Sequence, residues 1–109
     1  MSFAIDVINK MLKETEDKNS QLQEEYDNAK KAIEEMKLRK HYLSSIIDWK
    51  VNKREDPEAF KKHFEFDKIA NNYSKKKKEF DAFEDDYFKK TQLNNEMLDY
   101  LNEIIKQNA

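Results

Sequence analysis

An all-α fold, two long helices in an antiparallel coiled-coil hairpin, is predicted by three observations: two apolar ladders at heptad spacing, matched polarity between them, and almost no helix-breaking residues. The first ladder is Ile8, Leu12, Thr15, Asn19, Leu22, Tyr26, Ala29, Ile33, Met36, Lys40, Leu43 and Ile47. The second is Phe66, Ile69, Tyr73, Lys76, Phe80, Phe83, Tyr87, Lys90, Asn94, Met97, Leu101 and Ile104. Both step alternately by four and three, the 3.5-residue repeat that keeps a seam on one face of a helix. Glycine is absent and Pro57 is the only proline, which removes the residues that tight hairpin turns, phosphate-cradling loops and dinucleotide folds require.

Each element follows from these patterns. The first helix is expected over about residues 3 to 51, a turn over about 52 to 56 and the second helix over about 57 to 107, as one helical-hairpin domain. Asn52, Lys53, Arg54, Glu55 and Asp56 form the connection. Pro57 suits the first position of a helix, with Asp56 as its N-cap and Glu58 in the electropositive first turn. Asn19 and Ser20 are mediocre helix formers and mark the weakest point of the first helix, where Ser20 could cap a restarted one.

Folding the chain at this connection pairs the ladders so that facing residue numbers add to about 109. Leu43 then meets Phe66, Met36 meets Tyr73, Tyr26 meets Phe83, Leu22 meets Tyr87 and Leu12 meets Met97. The polar positions also coincide: Asn19 faces Lys90 and Thr15 faces Asn94, so these four are expected to set the register by hydrogen bonding across the seam. Lys40 opposite Ile69 and Ile33 opposite Lys76 fit less well, although a lysine stem can lie along a seam while its ammonium reaches water.

Charged residues make up 40% of the chain and hydrophobic residues 38%, with seven Phe, five Tyr and one Trp. That aromatic content, concentrated at ladder positions, separates the chain from a disordered polyampholyte. A net charge of −2 gives no field that would draw the chain onto nucleic acid or an anionic membrane. Cysteine is absent, which excludes disulfides and thiolate metal sites. The segment from Met1 to Met11 carries Asp6 and Lys10 and reads as neither a signal-peptide core nor a membrane span. Synthesis in the cytoplasm is expected, with co-export beside a partner still compatible.

Nothing in the sequence assembles a catalytic, cofactor-binding or metal-ligating set. Lys75 to Lys78 beside Tyr73 and Phe80 is followed at once by Asp81, Glu84, Asp85 and Asp86, and consecutive helical residues point in different directions, so the run reads as a solvated face rather than a nucleic-acid patch. The acidic group lacks the spacing and glycine of a calcium loop. His41 and His63 lack the paired spacing of a zinc motif, and no nucleophile has a histidine and an acid arranged around it. The expectation is a protein without enzymatic activity and without a cofactor.

Apolar residues left over from the seam collect at the two ends of the hairpin. Near the turn they are Tyr42, Ile46, Trp49, Val51, Phe60 and Phe64; near the open end they are Phe3, Val7, Met11, Leu93, Leu98 and Ile105. A two-helix hairpin buries one stripe per helix, so its core is thin. Tyr42, Ile46, Trp49, Phe60 and Phe64 at one end, and Val7, Met11, Leu98 and Ile105 at the other, are therefore the expected partner-binding residues. The partner is a helical protein, or a second copy forming a four-helix bundle. The competing expectation is that these side chains fold over their own seam and widen it.

Trp49, Lys50 and Val51 stand at the midpoint of the chain, where a two-helix hairpin turns. In this architecture the chain resembles the small Trp-x-Gly proteins of type VII secretion and the helical accessory proteins of LXG toxins. Val51 occupies the place of the family glycine. The Tyr-x-x-x-acid export signal has no counterpart, since Ile104 follows Tyr100 at that spacing, and Phe80 to Glu84 gives only a loose form of it. The resemblance implies an adaptor or chaperone that lies beside the helical targeting domain of a secreted toxin. Two other functions fit the residues. One is a small inhibitor of phage type that occludes an enzyme or nucleic-acid site with Glu24, Glu25, Asp27, Glu34 and Glu35; the other is a structural coiled-coil homo-oligomer.

Overall fold

The computed structural model describes residues 2–108 as three helices, α1 (Phe3–Asn52), α2 (Glu58–His63) and α3 (Phe66–Gln107). The chain is all-α, and α1 and α3 pack against each other as a helical hairpin. Ser2 caps α1: its Oγ accepts a hydrogen bond from the Ile5 backbone N–H at 3.2 Å, and Asp6 lies in the first turn, where a carboxylate favours the helix dipole. Helix α1 continues without a break through Asn19 and Ser20, because the Asn19 side chain bonds to α3 rather than competing for its own backbone.

The turn shows how a chain without glycine ends a helix. Arg54 takes a left-handed conformation at φ 61°. Its N–H donates to the Val51 carbonyl at 2.9 Å and the Glu55 N–H donates to the Lys50 carbonyl at 3.0 Å. This is the Schellman arrangement, and the contact that usually closes it with apolar groups is here an ion pair, Lys50 Nζ to Glu55 Oε2 at 3.3 Å. Pro57 has helical dihedrals, and Asp56 Oδ1 accepts from the Glu58 N–H at 3.0 Å. The segment expected as one helix from about residue 57 is interrupted at Phe64 and Glu65. Glu65 is left-handed at φ 51°, while its carbonyl accepts the Ile69 N–H at 3.0 Å to start α3. The break lets Phe60 sit under Lys50 Nζ, 5.6 Å from its ring centroid, while Phe66 enters the seam half-buried.

The described contacts divide into two compact units: unit one is Met1–Asp27 with Phe83–Ala109, and unit two is Asn28–Ala82. All twelve ladder residues of α1 are half-buried or buried. In α3 Phe66, Tyr73, Phe80, Tyr87, Asn94 and Leu101 face inward, Ile69, Phe83 and Ile104 are half-buried as expected, and three of the intervening positions differ. Lys76, Lys90 and Met97 are exposed, and Lys77, Thr91 and Leu98 are half-buried in their place. The Thr91 hydroxyl is buried without a hydrogen-bond partner. Register moves with the phase: facing numbers add to 113 for Asn19 with Asn94 and Tyr26 with Tyr87 in unit one, and likewise for Lys40 with Tyr73 in unit two. That lies about one helical turn beyond the expected alignment. The core is thin: Ile33, Ile47, Phe80, Tyr87 and Leu101 are buried, and no described side chain is completely so.

Candidate partner-binding faces

Unit one is held in register by a polar and aromatic layer. Tyr26 stacks on Tyr87 with ring centroids 4.3 Å apart and planes 7° from parallel. The Tyr26 hydroxyl donates to Glu84 Oε2 at 2.6 Å, and the Tyr87 hydroxyl donates to Gln23 Oε1 at 3.1 Å. Two turns from Tyr26, Asn94 Nδ2 donates to Asn19 Oδ1 at 2.9 Å, and Asn19 Nδ2 donates to Asn95 Oδ1 at 3.1 Å. The hydrogen bond to Glu84, then burial, then the charge of Glu84 push the Tyr26 hydroxyl up from its ordinary 10.0 to about 12.

This layer corrects two of the four expected register residues. Lys90 does not face Asn19; it is exposed and pairs with Asp86 at 2.8 Å, and the bond and charge of Asp86 raise its pKa. Thr15 is half-buried, but its hydroxyl donates to the Met11 carbonyl of its own helix at 2.8 Å. Amide meets amide at Asn19 and Asn94, which satisfies both side chains without burying an ammonium. Lys76 likewise leaves the seam and pairs with Glu79 at 3.3 Å.

One flank of unit one is apolar and uncovered. On α3, exposed Leu93, Met97 and Tyr100 and half-buried Ile104 step by four, three and four, which places them along one side of the helix beside the seam. Leu93 is 63% and Tyr100 65% exposed. On α1, Val7 and Met11 occupy the corresponding flank, and Phe3 extends it. That these are the same side of the unit follows from an open groove of about 320 Å³, lined by Lys18, Gln21 and Glu25 from α1 and by Lys90 and Leu93 from α3. Leu98 and Ile105, expected as partner contacts, are half-buried seam residues. Met97 and Tyr100 stand on the exposed flank instead, and their regular spacing with Leu93 and Ile104 is the signal in the sequence that identifies it.

Unit two carries a second stripe, on α1 alone. Leu38, Tyr42, Ile46 and Trp49 fall within about 80° of one another at 100° per residue. At the same spacing the buried Ile33 and Ile47 lie about 100–180° from these residues, with Ile46 nearest the seam, so Leu38, Tyr42 and Trp49 point away from α3 and Ile46 borders the seam. Tyr42 is 61% and Trp49 54% exposed. Lys53 Nζ lies 3.7 Å from the Trp49 ring centroid, a cation–π contact that covers one ring face. Phe60 is half-buried beneath Lys50 and 4.7 Å from exposed Phe64, so those two form a local aromatic pair at the turn. His41 and His63 each lie edge-on to the following aromatic, Tyr42 at 5.5 Å and Phe64 at 4.8 Å. Leu38, absent from the expected set, is found through its spacing to Tyr42.

The carboxylates of the occluding-inhibitor reading are partly engaged. Glu35 pairs with Arg39 at 3.1 Å, Glu25 accepts from Gln21 at 3.3 Å and Asp27 from Gln23 at 3.2 Å. Among the described residues no group of three or more histidine or carboxylate side chains is placed to hold a metal ion, and no helix is long and apolar enough to cross a membrane. No known family model, curated protein or solved structure matches the chain.

Proposed function

We propose that this chain is a non-catalytic helical adaptor or chaperone that binds a helix of another protein along the Leu38, Tyr42, Ile46 and Trp49 stripe of α1. The observation that carries the reading is the direction of that stripe. Large apolar and aromatic side chains in register on the face of a helix turned away from its hairpin partner form the i, i+4, i+8 pattern that a second amphipathic helix recognises. The resemblance to accessory proteins of LXG toxins supplies the class of partner, the helical targeting domain of a secreted toxin. Synthesis in the cytoplasm, with export beside that partner, belongs to the same proposal.

Trp49 is the only tryptophan and reports directly on its own surface. Titrating the protein with a helical product of a neighbouring gene should shift Trp49 emission to the blue as the ring is covered. Tyr42→Ala should weaken that binding by about tenfold or more, and salt should change the affinity little, because the interface is apolar. Unchanged emission on binding, or an affinity that collapses as salt rises, would overturn the reading in favour of a carboxylate-driven inhibitor.

A further inference from the structure

The apolar flank of unit one is a separate surface with its own occupant. We infer that a second copy of the chain docks there, with the unit-one segment of α1 in each copy lying over that of α3 in the other to form a four-helix bundle. The accessible surface is 8745 Å², whereas a folded monomer of 13.2 kDa exposes about 6,400 Å². The excess over the whole chain is on the order of 2,300 Å², room for the ~800 Å² that each partner gives to a standard protein interface. From their fractional exposures, Phe3, Val7, Met11, Leu93, Met97 and Tyr100 together present on the order of 700 Å², near the ~800 Å² each partner of such an interface contributes.

Charge selects a copy of the chain over a strongly charged stranger. The polar end of the same flank carries Lys18 and Lys90 beside Glu14, Glu25 and Asp86, the last paired with Lys90, so both signs are present, and Lys18 has no ion-pair partner among the described residues. A two-fold axis parallel to the helices puts α1 over an antiparallel α3 at equal height, as helix bundles prefer. With seam numbers adding to 113, the flank residues that meet across the axis add to within two of it: Met11 rests over Tyr100 of the second copy, Val7 over Ile104, and Glu25 over Lys90. Apolar ends coincide and opposite charges meet. An axis across the helices would instead stack α1 on α1.

Solution mass from light scattering after size exclusion, over a concentration series, tests the inference. The parent should be a dimer. Leu93→Glu and Met97→Glu, both exposed substitutions, should retain helicity by circular dichroism and raise the dissociation constant about 100-fold, while Trp49→Ala leaves the dimer intact. In a mixture of the single-cysteine variants Met11→Cys and Tyr100→Cys, oxidation should favour the mixed disulfide. A parent that stays monomeric at every concentration, or a dimer indifferent to both glutamate substitutions, as one exchanged through the seam would be, overturns the inference. So does cross-linking confined to Met11→Cys with itself. None of these results bears on the Trp49 titration, so the two surfaces stand or fall separately.

Discussion

Unit one and unit two use the same heptad seam and fix it differently. In unit one, directional hydrogen bonds cross between the helices: amide to amide at Asn19 and Asn94, hydroxyl to carboxylate at Tyr26 and Glu84, hydroxyl to amide at Tyr87 and Gln23. A slip of one turn breaks all three. Unit two places cations over rings, Lys40 5.2 Å from the Tyr73 centroid and Lys50 5.6 Å from that of Phe60, contacts that a flexible lysine can remake in neighbouring positions. It also holds the two left-handed residues among those described, Arg54 and Glu65. Alignment is specified where the polar groups have one solution, and the turn end adapts to it.

The largest effect expected is from Leu101→Ala in unit one. Leu101 is the most buried described residue, 3% exposed, in a core with no second layer to relax into the space. Truncation should cost about 3 kcal/mol, read from urea unfolding at one fixed protein concentration. The cost should exceed that of Ile47→Ala in unit two. If Ile47→Ala proved the more damaging, the seam of unit two rather than that of unit one would be the main store of stability.

Tyr26→Phe comes next and tests the directional layer itself. Losing the bond to Glu84 should lower the urea midpoint modestly near neutral pH, less than Leu101→Ala does. The folded chain holds the Tyr26 proton more tightly than the unfolded chain, with the hydroxyl pushed from 10.0 to about 12. Stability from this group is therefore complete below pH 10 and is lost as pH rises toward 12. The parent should lose part of its stability across that window, and the Tyr26→Phe variant should lack that part. A variant with the same alkaline profile as the parent would remove the hydrogen bond from the account of register.

Much of the fold is legible in residue spacing. The α1 ladder holds at every position. The phase of α3 is harder to read, since two ladders share Phe66, Tyr73, Phe80, Tyr87, Asn94 and Leu101. Hydropathy favours the one that adds Ile69, Phe83, Met97 and Ile104. The structure keeps Ile69, Phe83 and Ile104 half-buried but puts Lys77, Thr91 and Leu98 in place of Lys76, Lys90 and Met97 and brings in Glu84 beside Phe83, because Glu84 there receives the Tyr26 hydroxyl and Asn94 finds Asn19. Scales that assign each residue a fixed transfer energy miss this, since a buried polar group costs little once its partner is in place. The partner faces follow the same logic. Tyr42, Ile46 and Trp49 are legible as an apolar surplus, but Leu98 and Ile105 change places with Met97 and Tyr100 once the phase moves.

The smallest effect concerns the turn, and its sign runs opposite to the others. A left-handed backbone costs a residue with a Cβ about 1–2 kcal/mol relative to its right-handed form, and glycine avoids that cost while losing more freedom on folding. Arg54 at φ 61° and Glu65 at φ 51° hold this conformation because the Schellman bonds to Val51 and Lys50, and the bond from Glu65 to Lys62, satisfy carbonyls that would otherwise lack donors. Arg54→Gly and Glu65→Gly should therefore each stabilise the chain by about 0.5–1 kcal/mol, seen as a rise in the urea midpoint. The Glu65 ion pair with Lys68, 3.8 Å long and exposed, should subtract little from the gain. If glycine destabilised at either position, the backbone there would not be left-handed in solution. A loss at residue 65 alone would mean that α2 and α3 run on as the single helix expected from Pro57 onward, with Phe60 carried away from Lys50.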